Sequence, residues 1–254
     1  MRVTIVGSGT VVPTVERRQS CVVIEAGGEM LVFDLGNGAA RGMLRVGLDP
    51  FATDRVFFTH FHPDHTSDIP SLLFSMKYGM TEERTNPLHV TGPQPFEDFW
   101  DSFKTVYRSW MEPDFPVEVS ELPVEPGHTM ELPGGTLSWT PANHRSESLA
   151  YRLDTENGAF VYTGDTEYSE SVVELARGAH TLLIECSFPD SSPVAGHLTP
   201  SSAARMASEA GVERVVLTHL FPLVLELDLV SEVGKVFDGE VVIAEDGMGL
   251  EIQT

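Results

Sequence analysis

Basic residues are scarce in this chain. Lys and Arg together number 16 against 38 Asp and Glu, a formal net charge of -22 over 254 residues. Nucleic-acid binders present basic surfaces, because phosphate neutralisation drives their affinity. Nucleic acid is therefore a disfavoured partner, and a long polyanion would be repelled by most of this surface. A small anionic ligand reaching a cationic site is still permitted. Cysteine is nearly absent as well. Cys21 and Cys186 sit in separate apolar runs and read as buried thiols rather than a disulfide framework. No apolar run approaches the ~18 residues of a membrane span. The start, Met1-Arg2-Val3-Thr4-Ile5-Val6-Gly7, becomes a strand at once and has no signal-peptide profile. A cytoplasmic protein with no membrane partner is expected. Low-complexity tracts, repeats and long linkers are missing too. With 41% apolar residues, residues 1–254 are expected to form a single domain around a sizeable core.

What is present is a run of short β-type segments alternating with a few helices. Val3–Val6, Cys21–Ala26 and Met30–Asp34 read as strands, with a hairpin turn at Gly27-Gly28. Further strands are expected at Arg55–Phe58, Leu88–Thr91, Val117–Leu122, Thr136–Thr140, Leu149–Leu153, Phe160–Tyr162, Leu182–Glu185, Val215–Thr218, Val241–Ala244 and Leu250–Gln253. Helical spacing marks Gly38–Val46, Ile69–Met76, Pro95–Trp110, Ser169–Arg177, Pro200–Ala210 and part of Leu227–Val236. Strands outnumber helices and many neighbours are hairpin-linked. This order fits an α/β fold of the αββα sandwich type, two packed mixed β-sheets flanked by helices.

The most informative segment is Thr59-His60-Phe61-His62-Pro63-Asp64-His65. Three imidazoles and a carboxylate fall within six residues, directly after the apolar run Val56-Phe57-Phe58. His60 and His62, two apart, project the same way in extended chain. Pro63 fixes a turn before Asp64 and His65. One loop at a strand end can thus offer ligands to two metal ions. Four ligands cannot satisfy two metals. Three strand-end candidates supply more: His144 after Thr140, Asp165 in Thr163-Gly164-Asp165-Thr166, and His219 after Val216-Leu217-Thr218.

This pattern resembles the metallo-β-lactamase superfamily, and within it the ribonuclease Z-like phosphodiesterase branch in a short form. Gly7-Ser8-Gly9-Thr10 with Pro13, Phe33-Asp34-Leu35-Gly36, Asn86-Pro87-Leu88 running to Gly92-Pro93, Leu183-Ile184-Glu185 with Phe188, and His197-Leu198-Thr199 all contribute to the likeness. The resemblance implies a metallo-β-lactamase-like fold and two divalent metal ions, zinc first, with manganese or iron as alternatives. It implies that His60, His62 and His144 hold one metal, that Asp64, His65 and His219 hold the other, and that Asp165 bridges. Asp34 would orient a ligand. His197 would assist cleavage and Glu185 would orient His197. Asp64 would also manage the proton of the attacking water.

The implied chemistry is hydrolysis by a hydroxide activated at a dinuclear metal centre. In the branch, a long arm inserted between the positions of His144 and Asp165 grips tRNA. Here 20 residues, 145–164, separate the two and read as a plain hairpin. The expected substrate is therefore a small, perhaps cyclic, phosphodiester. The alternatives are a tRNA 3′-processing endoribonuclease, a lactonase or ester hydrolase on the same metals, and a metal-dependent binding module without catalysis. Arg145, Arg17 and Arg18 are candidates for a phosphate contact. The apolar segment Pro70–Tyr78 lies in a neighbourhood that supports a homodimer in similar proteins. His89, His128 and His180 have no ligand context: His89 reads as a strand residue, His128 as a turn residue and His180 as the end of a helix.

Overall fold

The computed structural model describes residues 1–253. The chain opens as an antiparallel meander, β1 (Arg2–Gly7), β2 (Cys21–Ala26) and β3 (Glu29–Phe33). Gly27 and Gly28 both take positive φ, 60° and 83°, which a two-residue hairpin turn matched to strand twist requires. Helix α1 (Ala39–Arg45) then crosses to β4 (Arg55–Phe57), which lies parallel to β3. The short α2 (Pro63–Thr66) and α3 (Ile69–Gly79) lead to β5 (Leu88–Pro93). Helix α4 (Phe96–Tyr107) leads to β6 (Val117–Leu122), and β4, β5 and β6 run parallel.

The second half repeats this plan. Antiparallel β7 (His128–Leu132), β8 (Gly135–Pro141), β9 (Leu149–Thr155) and β10 (Gly158–Tyr162) come first. Parallel β11 (Thr181–Glu185), β12 (Arg214–Thr218) and β13 (Glu240–Ile243) follow, connected through α5 (Glu170–Ala176), α6 (Pro200–Ala210) and α7 (Leu229–Val233). Strand β14 (Met248–Glu251) returns to pair with β1. Two seven-stranded sheets result, ordered β14-β1-β2-β3-β4-β5-β6 and β13-β12-β11-β10-β9-β8-β7.

Three apolar clusters hold these layers. The central one lies between the sheets and joins Val3, Ile5, Phe33 and Phe57 to Leu137, Tyr151, Phe160 and Val216. Phe33 and Phe57 stack at 5.2 Å, and Tyr151 meets Phe33 edge-on at 5.5 Å. The other two lie on the outer faces. One sets α1, α3 and α4 against the first sheet, the other α5, α6 and α7 against the second. Strands such as β11, buried along their whole length, read as continuous apolar runs because both faces are covered. The αββα sandwich expected from the order of elements is the observed architecture. No helix among the described residues is long and apolar enough to cross a membrane.

Local expectations fail where the pattern is weak. Strand β7 was not anticipated: its alternating half-buried and exposed residues mark a polar edge. His128 therefore begins a strand, stacked on Trp139 at 5.8 Å, and is not in a turn. His180 lies four residues past the end of α5, with Nδ1 2.8 Å from the Thr181 hydroxyl. The Pro95–Trp110 helix stops at Arg108, whose φ of 52° no α-helix accommodates, and a 3₁₀ turn continues to Met111.

Candidate metal centre

The parallel strands aim their C-terminal ends at one edge of the sandwich, where ligand sites of such sheets lie. Asp34 follows β3, the histidine loop follows β4, Asp165 follows β10, Glu185 ends β11 and His219 follows β12. Asp34 and His219 sit in the left-handed region, at φ 60° and 52°. For residues other than glycine that costs about 1–3 kcal/mol and persists only under outside constraint. For Asp34 the constraint is visible: the following amide, of Leu35, donates to the His65 carbonyl at 2.6 Å.

Five of the six histidines at this edge, all but His62, are fixed through one ring nitrogen. The Asp34 carboxylate accepts from the Thr59 amide at 2.8 Å, the Thr59 hydroxyl at 2.9 Å and the Tyr162 hydroxyl at 2.9 Å. It also lies 2.7 Å from His65 Nδ1. With its own proton given to Asp34, the Thr59 hydroxyl is left to accept from His60 Nδ1 at 3.0 Å. His144 Nδ1 donates to the Gly196 carbonyl at 2.9 Å. Gly196 has φ 84°, and a Cβ there would come 2.9 Å from His144 Nδ1. Ser187 gives its hydroxyl proton to Glu185 and can accept from His219 Nδ1 at 3.0 Å. His197 Nδ1 donates to Glu185 Oε1 at 3.0 Å. These bonds set the tautomers so that the Nε2 lone pairs of His60, His65, His144 and His219 face inward.

The inward atoms meet around Asp165. His60 Nε2 and His144 Nε2 each lie 3.8 Å from its Oδ2. His65 Nε2 and His219 Nε2 lie 3.3 and 3.4 Å from its Oδ1. His62 Nδ1 is 3.1 Å from His144 Nε2, and Asp64 Oδ2 is 3.5 Å from His219 Nε2. The ligand-capable atoms of His60, His62, His144 and Asp165 all lie within 4.8 Å of one another, as do those of Asp64, His65 and His219. A third group joins Asp165, His197 and His219.

These residues fit divalent cations. The Nε2 atoms of His60, His65 and His219 and Oδ1 of Asp165 are buried without a hydrogen-bond partner. Four orphaned polar atoms in one place are costly in a folded protein unless something else satisfies them. Zn–N bonds of ~2.0–2.1 Å at tetrahedral angles place donor atoms about 3.3 Å apart, close to the separations seen here.

At His60, His62 and His144 electrostatics act in the same direction. Burial, reinforced by the neighbouring imidazoles, holds His60 well below the ordinary imidazole range, and burial also lowers His62 and His144. All three are thus neutral and able to ligate. Burial opposes ionisation of Asp165, but His219 and His65 outweigh it and hold the carboxyl well below its usual value. Burial also opposes protonation of His65, and the Asp165 and Asp34 carboxylates override it. Burial raises Glu185, partly offset by His197, and against burial the Glu185 carboxylate raises His197.

The structure brings His60, His62, Asp64, His65, His144, Asp165 and His219 together, with Glu185 and His197 beside them. Arg145 is exposed, and its charge reaches His62. Arg17 and Arg18 are engaged in other contacts. Arg18 pairs with Asp246 at 3.0 Å, and Arg17 bonds the Ser8 hydroxyl and the Ala244 carbonyl, so both tie the early loop to the C-terminal strands. Ser187, Tyr162 and the orienting role of Thr59 went unnoticed in the sequence. The only sequence signal for Ser187 is its spacing, two residues past Glu185.

The profile of the Beta-lactamase superfamily domain matches residues 32–220. Several curated relatives carry the name ribonuclease Z. The one from Haloarcula marismortui is 29% identical over 308 positions, covering 100% of this chain and 97% of the relative. An uncharacterized protein of Mycobacterium leprae is 31% identical over 271 positions, covering 100% and 89%. Among solved structures, the metallo-beta-lactamase fold protein YhfI from Bacillus subtilis superposes with a TM-score of 0.82 at 26% identity, covering 98% of each chain.

Proposed function

This chain belongs to the beta-lactamase superfamily, and on that premise we propose that it hydrolyses phosphodiesters with two divalent metal ions. The convergence of three buried, unpartnered imidazole nitrogens on Asp165, whose Oδ1 is itself unpartnered, carries this reading. In it, His60, His62 and His144 hold one ion, Asp64, His65 and His219 hold the other, and Asp165 serves both. Zinc suits this donor set, and manganese or iron can occupy it. When bound, the ions supply Lewis acidity toward phosphoryl oxygen and toward water. The protein's own groups do the rest. Asp64 accepts the proton of the attacking water. His197, held through Nδ1 by Glu185, gives the proton on Nε2 to the leaving oxygen. Arg145, exposed beside His62, adds a charge-assisted contact to the phosphate. Because the ligand set draws on both sheets, residues 1–254 act as one hydrolase domain. The two unpaired buried thiols suit a reducing compartment such as the cytoplasm. Exposed Phe74 and Tyr78 on α3 are where a homodimer contact would form, which light scattering tests.

Two substrates compete. The relatives' name, ribonuclease Z, favours RNA over the small diester, against the expectation drawn from charge that nucleic acid is disfavoured. One specific observation keeps the small diester in view. The Haloarcula alignment spans 308 positions against 254 residues here, so that relative carries segments this chain lacks. Between His144 and Asp165 this chain has only β9 and β10 joined by Glu156-Asn157. Metal per chain should be measured, with turnover of bis(p-nitrophenyl) phosphate, a 2′,3′-cyclic nucleotide, a precursor tRNA and a lactone side by side. Preference for the lactone over every diester sinks the proposal. Preference for the precursor tRNA, weakening steeply with salt, selects the ribonuclease.

A further inference from the structure

Two phenylalanines beside the cluster take no part in the core. Phe188 and Phe221 are half-buried and stack on each other, centroids 4.5 Å apart with 29° between planes. Among the described residues, neither belongs to the three apolar clusters or packs against them. Phe61, next to His62, shows the contrast: it packs on the first sheet's outer cluster and stacks on Phe99 at 4.5 Å. What Phe188 and Phe221 touch instead is histidine. Phe188 meets the His197 ring edge-on at 5.5 Å. Phe221 lies 6.3 Å from His197 and 5.8 Å from His219. His197 therefore has the aromatic pair against its ring, while its ligand-capable nitrogen lies within 4.8 Å of those of Asp165 and His219. These rings lie outside the apolar clusters, yet they stand beside the group that protonates the leaving oxygen in the proposed reaction.

We propose that Phe188 and Phe221 form a stacking wall that seats the nucleobase on the leaving side of the scissile bond, selecting diesters whose leaving alcohol is a nucleoside. This rests on the phosphodiesterase reading above. A nucleoside whose sugar oxygen receives the His197 proton carries its base one sugar ring away, within reach of this wall. Every base has a π-face, so the wall selects a class of leaving group rather than one base. An aliphatic leaving alcohol gains nothing from it.

The test compares ligands that differ only in the base. Adenosine 2′,3′-cyclic phosphate and methyl riboside 2′,3′-cyclic phosphate are assayed for turnover. AMP and ribose 5-phosphate are titrated calorimetrically. Wild-type protein should favour the base-bearing member of each pair by roughly tenfold, the scale of one stacked base. Phe221→Leu should bring both ratios near one, with the change in turnover falling on KM. Phe221→Trp should keep them. Phe188→Leu provides a second route should Phe221→Leu lower the melting temperature. Turnover of both diesters with no base preference in the wild type, or a preference that survives Phe221→Leu and Phe188→Leu, overturns the wall and leaves the phosphodiesterase reading standing. Absence of turnover on every diester overturns that reading, and the wall's place in it.

Discussion

The first sheet delivers His60, His62, Asp64 and His65 from one loop of six residues, whereas the second delivers His144, Asp165 and His219 from three separate strand ends. The loop is shaped locally, by Pro63 opening α2 and by the Thr59 amide on Asp34. The three scattered residues owe their meeting to register: Thr140 opposite Ala150 and Tyr151 opposite Tyr162 in the antiparallel pairs β8-β9-β10, then Tyr162 opposite Leu183 and Glu185 opposite Thr218 in the parallel ladder β10-β11-β12. A slip of one residue would turn each strand's side chains to the other face. The same chemistry is thus written twice, once as a contiguous string and once as a folding outcome, and the second version is the more fragile.

Substitutions on the two sides test this contrast. Asp165→Ala removes the one carboxylate facing both donor groups. It should abolish metal binding at both and reduce turnover beyond detection, whereas His60→Ala should spare the metal at the Asp64 group. Mass spectrometry counting metal per chain checks this, and the contrast fails if His60→Ala empties both. His197→Ala, outside both main groups, should lower kcat by about 10²–10³-fold with metal content retained. Loss of metal would make His197 a ligand instead. Asp34→Asn leaves every ligand in place but weakens the acceptor of His65 Nδ1, and should cost about 10–100-fold in metal affinity, read by competition with a chelator. The smallest effect concerns pH. Glu185 raises His197 against burial, so His197 keeps its proton above the ordinary imidazole range and activity falls as pH rises through that raised value. Glu185→Gln removes the largest raising influence and leaves only Asp165 and Asp64 against burial, so the alkaline limb of kcat/KM should move to lower pH.

Much of this was open to inspection in the chain itself. The order of strands and helices suffices for the sandwich, because hairpins and parallel crossovers leave different spacings. The string from His60 to His65 is legible since its residues are neighbours in sequence. His144, Asp165 and His219 are each visible only as a polar residue at a strand end, and the family likeness, rather than any local signal, groups them. Beyond the orienting roles that the family likeness gave Asp34 and Glu185, ring orientation was closed to sequence reading. His144 is aimed by the carbonyl of Gly196, and His219 faces the hydroxyl of Ser187, 32 residues before it. Such bonds join atoms whose proximity exists only after folding. Strand β7 escaped notice because its alternation is short and carries only two apolar residues, Met130 and Leu132.

Tyr162 on the second sheet donates to Asp34 on the first, Tyr151 donates to the Phe58 carbonyl at 2.6 Å, and the Leu149 amide donates to the Thr59 carbonyl at 2.9 Å. Sheets packed through side chains alone resist separation far better than they resist sliding, since dispersion has no preferred direction. These three polar dowels pin the shear between the layers at the end where it matters. A glide of even half the ~3.3 Å rise per strand residue would carry Asp165 away from His65. The opposite rim of the sandwich can breathe without consequence for that distance, and amide exchange should be slowest where the dowels cross.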